Sequence, residues 1–181
     1  MKIYLARHGD YQNPDNIVPY TMPGITLSEL GKSQAQLQAD KLIDVKIRAI
    51  YTSPLERCLE TASIIAKHLH LFPNQKSELI ETSTPLAGIK KVDMPLDIYL
   101  DPRHIEGGGE AVEVIFNRMN NFVDTLKLTS KNSNYLIVSH GDPMMIFLRG
   151  VLKKEIRYIP MGGLILLDYG KNKLPQYSEI I

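Results

Sequence analysis

The sequence predicts a single α/β domain in which a mostly parallel sheet is flanked by helices, and three observations carry that reading. Ile3-Tyr4-Leu5-Ala6 is a short run, apolar on both faces, as expected for a strand buried in a parallel or mixed sheet. Tyr135-Leu136-Ile137-Val138 is a second such run. Between them lie segments whose apolar residues recur three and four apart, the period of helices that cover a sheet. At 181 residues the chain is long enough for one real core, and 44% apolar with 23% charged residues suits an ordinary folded domain.

The remaining bulk properties exclude some roles. A net charge of +1 argues against a general nucleic-acid or membrane-surface protein, while a small positive pocket stays compatible with it. Cys58 is the single cysteine, so no intramolecular disulfide forms and a reducing, cytoplasmic setting is expected. Met1 leads straight into the first apolar run, so no signal peptide is expected, and no run reaches the length of a membrane span.

The first run stops at Arg7-His8-Gly9-Asp10. Ligands of open α/β sheets bind beyond the carboxyl ends of strands, so Arg7 and His8 fall where chemistry is done. Gly9 is expected to let the backbone turn and an anion come close. Residues 11–26, with Asn13, Pro14, Pro19, Pro23 and Gly24, read as a loop forming one wall of the site. Ser28 then caps a helix whose apolar face is expected at Leu30, Ala35, Leu37, Leu42 and Ile43. Ile47 to Thr52 reads as the next strand, and Ser53-Pro54 opens a helix over about residues 55–69.

Arg57 falls in the first turn of that helix, beside free backbone N–H groups and the positive pole of its dipole. A guanidinium there suits bidentate contact with phosphate oxygens; an ion pair with Glu56 or Glu60 is the bland alternative. Cys58 reads as inert packing. Leu79-Ile80-Glu81 reads as a strand end, and residues 82–109 as an irregular lid in which His104 is a surface loop histidine. Gly107-Gly108-Gly109 leads as a hinge into a helix of about residues 110–128, with Val112, Ile115, Phe116, Met119, Phe122, Val123 and Leu126 inward. No Lys-Ser or Lys-Thr pair follows, so a Walker-type loop is not supported.

The second run ends in Ser139-His140-Gly141-Asp142, repeating the His-Gly-Asp of the first. Two buried strands ending alike predict neighbours in one sheet with two imidazoles meeting at its edge. Pro143 to Leu152 reads as a helix with Met145, Ile146, Leu148 and Val151 inward, and Gly162 to Asp168 as the last strand. The tail from Gly170 carries no motif.

Arg7-His8-Gly9, Leu27-Ser28-Glu29-Leu30-Gly31, the stretch from Ser53-Pro54-Leu55-Glu56-Arg57 to Thr61-Ala62, and Val138-Ser139-His140-Gly141 together resemble the histidine phosphatase (phosphoglycerate mutase-like) superfamily. They stand in the family's order and span residues 1 to about 150. The resemblance implies a three-layer phosphoglycerate mutase-like sandwich and phosphoryl transfer with neither metal nor other cofactor. His8 would attack phosphorus as neutral imidazole and form a phosphohistidine. Arg7, Arg57 and a cationic His140, with Gly141, would surround the phosphoryl oxygens. The family's glutamate after the third strand protonates the leaving alcohol, and Glu81 is the match. Its phosphate-binding Thr and Asn after the histidine are replaced here by Tyr11 and Asn13, which leaves Asn13 or Thr21 as the candidate contact.

The expected partner is a small phosphorylated substrate or, by similarity to the compact branch with its short chain and Arg-His-Gly-Asp, a phosphohistidine protein. A phosphoglycerate-type mutase shares the core but usually carries longer basic insertions, and apart from Lys90-Lys91 this chain has none. A catalytically inactive phospho-ligand binding module on the same fold is a further reading. So is a metal-dependent hydrolase built on the pairs His8/Asp10 and His140/Asp142, which the neighbouring Arg7 opposes. Neither nucleic acid nor membrane is an expected partner. A homodimer is compatible with the chain, although no exposed apolar stripe announces one.

Overall fold

In the computed structural model, which describes residues 1–130, 132–170 and 174–181, the first apolar run forms β1 (Lys2–Arg7) and the second β4 (Asn134–Ser139). They lie side by side and parallel, with Ile3 opposite Tyr135 and Arg7 opposite Ser139. β2 (Ile47–Thr52) pairs parallel with β4 on one side and with β3 (Pro73–Gln75) on the other. β5 (Leu164–Asp168) runs antiparallel to β1, and β6 (Gln176–Glu179) antiparallel to β5, giving the order β3-β2-β4-β1-β5-β6. The predicted α/β architecture with a mostly parallel central sheet is therefore present.

Strand alternation explains why both central strands are apolar throughout. Ile3, Leu5, Tyr135, Ile137 and Leu167 face one core, which α4 (Val112–Thr129) and α5 (Gly141–Leu152) cover with Met119, Phe122, Phe147 and Leu148. Tyr4, Ala6, Leu136, Val138 and Ile50 face the other, under α1 (Glu29–Leu42) and α2 (Glu56–Leu69). A central strand between two helical layers has no polar face to spare.

Several local expectations change. The face of α1 is rotated: Gly31, Ala35, Gln38, Ala39 and Leu42 are buried, whereas Leu30, Leu37 and Ile43 are exposed. Small residues, rather than large apolar ones, allow this helix its close approach. A Cβ on Gly31 would overlap the Asp10 carbonyl, and one on Gly9 would overlap the Gly31 backbone. Gly9 is not among the glycines with positive φ, so close packing rather than a turn demands it. The strand after α2 is Pro73–Gln75, and Ser77–Leu79 is a 3₁₀ turn instead of a strand end. β6 follows the strand expected to be last; its polar sequence suits an edge.

The lid over residues 82–109 is built from short 3₁₀ turns and α3 (Pro102–Glu106). Leu86 and Ile98 from the lid and Tyr20 from the loop of residues 11–26 form a small third core, so the two segments make one cover over the carboxyl end of the sheet. His104 is 2% exposed and not a surface histidine. Its Nδ1 lies 2.9 Å from Thr84 Oγ1 and its Nε2 3.2 Å from the Glu110 carbonyl, tying α3 to both ends of the lid. A side chain on Gly109 would strike the His104 ring, which gives that glycine a packing role instead of a hinge's. Among the described residues no helix is long and apolar enough to cross a membrane.

Candidate active site

The parallel register of β1 and β4 brings their terminal histidines together: the rings of His8 and His140 meet edge to face with centroids 5.1 Å apart. His8 Nδ1 lies 2.8 Å from the carbonyl of Gly9. A carbonyl can only accept, so Nδ1 carries the hydrogen and Nε2 keeps its lone pair. Burial first, then the positive fields of Arg57 and Arg7, push the His8 imidazole well below its ordinary range. His8 is thus a neutral ring with a fixed tautomer.

α2 braces this end of β1. The Gly9 N–H donates to Thr61 Oγ1 at 3.2 Å, and the Thr61 hydroxyl donates to the Arg57 carbonyl at 2.7 Å. The Gln38 amide of α1 donates to the carbonyls of Arg7 and Gly163 at 2.9 and 3.1 Å. Neither Thr61 nor Gln38 stands out in the sequence, because their work is on backbone atoms that only the fold brings near.

Arg7 and Arg57 are 8% and 1% exposed. Arg7 Nη1 donates to the Ile159 carbonyl at 2.6 Å, and its guanidinium carbon sits 4.8 Å from the Tyr158 ring centroid. A Cβ on Gly141 would stand 3.0 Å from that carbon, so glycine here lets Arg7 lie against the start of α5. Arg57 Nη2 donates to the Tyr20 carbonyl at 2.6 Å. Its Nε and Nη1, like Arg7 Nε, are buried without a partner. No ion pair with Glu56 or Glu60 forms; the Glu60 carboxylate accepts the Leu27 N–H at 2.8 Å instead.

These groups floor a cavity of about 100 Å³, with Glu81 and Asp142 on its wall and Tyr11, Tyr20 and Tyr158 at its rim. Larger grooves exist on the surface, but none of the predicted site residues lines them. Burial first, then the neighbouring Asp142 carboxylate, lifts the Glu81 carboxyl to about 7. Glu81 Oε1 accepts the Thr82 N–H at 2.8 Å, and Oε2 lies 3.9 Å from His140 Nδ1.

His140 is fully buried behind His8 and does not itself line the cavity. Burial, then Arg57, His8 and Arg7, push it well below its ordinary range, which corrects the expectation of a cation here. Its Nε2 lies 2.7 Å from Ser53 Oγ, which also accepts the Leu55 N–H at 3.3 Å; Ser53 is a site residue that sequence reasoning missed. Cys58 packs beside the ring, Sγ 3.4 Å from Nε2, with burial holding its thiol protonated, as an inert role requires.

Asn13 is not brought to the cavity. Its amide donates to the Ile17 carbonyl at 2.8 Å and accepts the Ile17 N–H at 3.0 Å, closing a turn within its own loop. Thr21 likewise does not line the cavity. The two His-x-Asp pairs do not form one ligand set, since Asp10 faces away and accepts the Ser28 hydroxyl at 2.5 Å.

The chain matches, over residues 3–172, the family described as the histidine phosphatase superfamily (branch 1). An uncharacterised protein of Mycobacterium tuberculosis is 32% identical over 151 residues, 79% of this chain and 74% of that one. Phosphoserine phosphatase 1 of Hydrogenobacter thermophilus is 29% identical over 154 residues, covering 80% and 72%. In fold, the chain is similar to a mycobacterial glucosyl-3-phosphoglycerate phosphatase, with a TM-score of 0.83 at 20% identity over 99% of this chain and 97% of that one.

Proposed function

Given that the chain belongs to the histidine phosphatase superfamily, we propose that it hydrolyses phosphomonoesters through a phosphohistidine on His8. The observation that carries this is a pair of buried guanidiniums, Arg57 with Nε and Nη1 and Arg7 with Nε left without partners, around a small cavity beside a neutral, oriented imidazole. An uncompensated buried cation is costly, and a phosphoryl dianion supplies the missing acceptors.

In the first step His8 Nε2 attacks phosphorus, the ester P–O bond breaks opposite it, and the leaving oxygen takes the proton of the Glu81 carboxyl. In the second, the Glu81 carboxylate accepts a proton from water as that water attacks phosphorus and the P–N bond breaks, releasing phosphate. Arg7 and Arg57 hold the equatorial oxygens throughout. His140, a neutral ring with Nε2 2.7 Å from Ser53 Oγ, packs behind His8 and stands 3.9 Å from Glu81 Oε2, beyond hydrogen-bond distance. The cover over the cavity carries no basic insertion beyond Lys90-Lys91 that would hold a released intermediate, which favours hydrolase over mutase.

Turnover of an aryl phosphate in excess chelator tests the reading. Undiminished activity is expected, and activity lost to the chelator contradicts it. Glu81→Gln should lower kcat/KM on an alkyl monoester by about 10²–10⁴-fold while aryl phosphates, whose leaving groups need no proton, change little. Equal losses on both would place the acid elsewhere. Because the protonated carboxyl is the active form, native kcat/KM on the alkyl ester should fall as pH rises through about 7, and this limb should vanish in the variant.

A further inference from the structure

The phosphohistidine scheme leaves Asp142 unused, yet Asp142 lies on the same cavity wall as the proposed proton donor. It sits in the first turn of α5, and its Oδ2 receives one long hydrogen bond, 3.4 Å, from the Tyr99 hydroxyl. Tyr99 is itself held 3.0 Å from Thr82 Oγ1, so the lid fixes where this carboxyl points. Among the described residues no cation lies within ion-pair distance of it. The floor cations Arg7 and Arg57 face the phosphoryl oxygens in the proposed scheme, and although the field of Arg7 reaches Asp142, the wall keeps an acidic group without an ion-pair partner.

From this juxtaposition we infer that Asp142 selects the leaving group, favouring monoesters whose alcohol carries an ammonium or hydroxyl close to the ester and disfavouring those with a carboxylate or second phosphate there. The inference rests on the phosphatase reading and names the substrate class of that site. Burial raises the Asp142 carboxyl too, with the field of Arg7 acting against it, but Glu81 is the one lifted to about 7 with Asp142 contributing, so the two wall carboxyls together present an anion to the arriving substrate. Against a carboxyl that is itself largely buried, a ligand cation a few ångströms away gains, and a ligand anion loses, more than either would in bulk water. Lys91, exposed with Nζ 5.9 Å from the Tyr11 ring centroid, lies outside the cavity lining and is screened by solvent.

Three monoesters of matched length isolate the effect: aminoethyl, hydroxyethyl and carboxymethyl phosphate. Their kcat/KM values should fall in that order, with aminoethyl phosphate ahead of carboxymethyl phosphate by about tenfold or more. In Asp142→Asn the ratio should shrink toward one. Because Asp142→Asn also favours ionised Glu81, the ratios are compared at a pH below the Glu81 limb of the variant, where Glu81 is protonated in both proteins. Binding of the same esters to His8→Ala, with and without Asp142→Asn, gives the ratio independently of turnover. A binding ratio that follows Asp142 without any turnover supports the selectivity and removes the hydrolase reading alone. Equal values across the series, a reversed order, or a ratio that Asp142→Asn leaves unchanged overturns the inference.

Discussion

His8→Ala abolishes hydrolysis, a loss on the order of 10⁴-fold or more, because the variant has no atom that can accept the phosphoryl group. The ring is 2% exposed and makes one hydrogen bond, to the Gly9 carbonyl. Its removal leaves β1 paired to β4 and β5, and Gly9 still donates to Thr61. Circular dichroism should therefore be unchanged and inorganic phosphate should still bind through Arg7 and Arg57. Steady-state hydrolysis of an aryl phosphate reads the result, since that leaving group removes the acid step from consideration. Residual turnover within about tenfold of native would move the nucleophile off His8.

Arg57→Met separates the electrostatic contribution from the nucleophile. Losing one preorganised donor to the developing charge costs about 10²–10³-fold in kcat. The second readout is stability. A methionine fills much of the volume of the arginine stem and removes a buried charge whose Nε and Nη1 have no partner. Without phosphate, the variant should unfold at a temperature close to or above that of the native protein, the lost bond to the Tyr20 carbonyl being offset by the relieved desolvation. With phosphate at about 100 times its Kd, the native protein gains about 2.7 kcal/mol and the variant much less. A variant that melts far lower in both conditions, with the phosphate response intact, would make Arg57 a structural residue.

The parts of this architecture that could be read from the chain are those set by local pattern. β1 and β4 are apolar runs bounded by charged or polar residues and β2 is rich in β-branched and aromatic residues up to Ser53-Pro54, and the structure places them at Lys2–Arg7, Asn134–Ser139 and Ile47–Thr52. β3 and β6 escaped because they are short edge strands with polar sequences, Pro-Asn-Gln and Gln-Tyr-Ser-Glu, whose pairing depends on a neighbour already in place. The α1 face differs from the one its leucines suggest because glycine and alanine mark the closest helix–sheet approach. His8, Arg7 and Arg57 could be picked out because each ends a strand or opens a helix.

The partners of these residues could not be found in the same way. Ser53, Thr61 and Gln38 are common residue types whose hydrogen bonds span 87, 52 and 31 positions. The neutral state of His140 and the raised Glu81 carboxyl follow from burial and from charges contributed by distant segments, which local sequence does not encode. Asn13 departs from expectation for the opposite reason: a local turn with Ile17 engages both its amide nitrogen and its amide oxygen.

The most direct test of the central claim is to mix the protein with an aryl phosphate in excess chelator, quench within the first turnovers into alkali, and look for a phosphoryl group on the peptide that carries His8. The scheme predicts an adduct stable in base and labile in acid, attached to the His8 imidazole and missing from His8→Ala. Turnover with no adduct on His8, or with the phosphoryl group found on another residue, would contradict it.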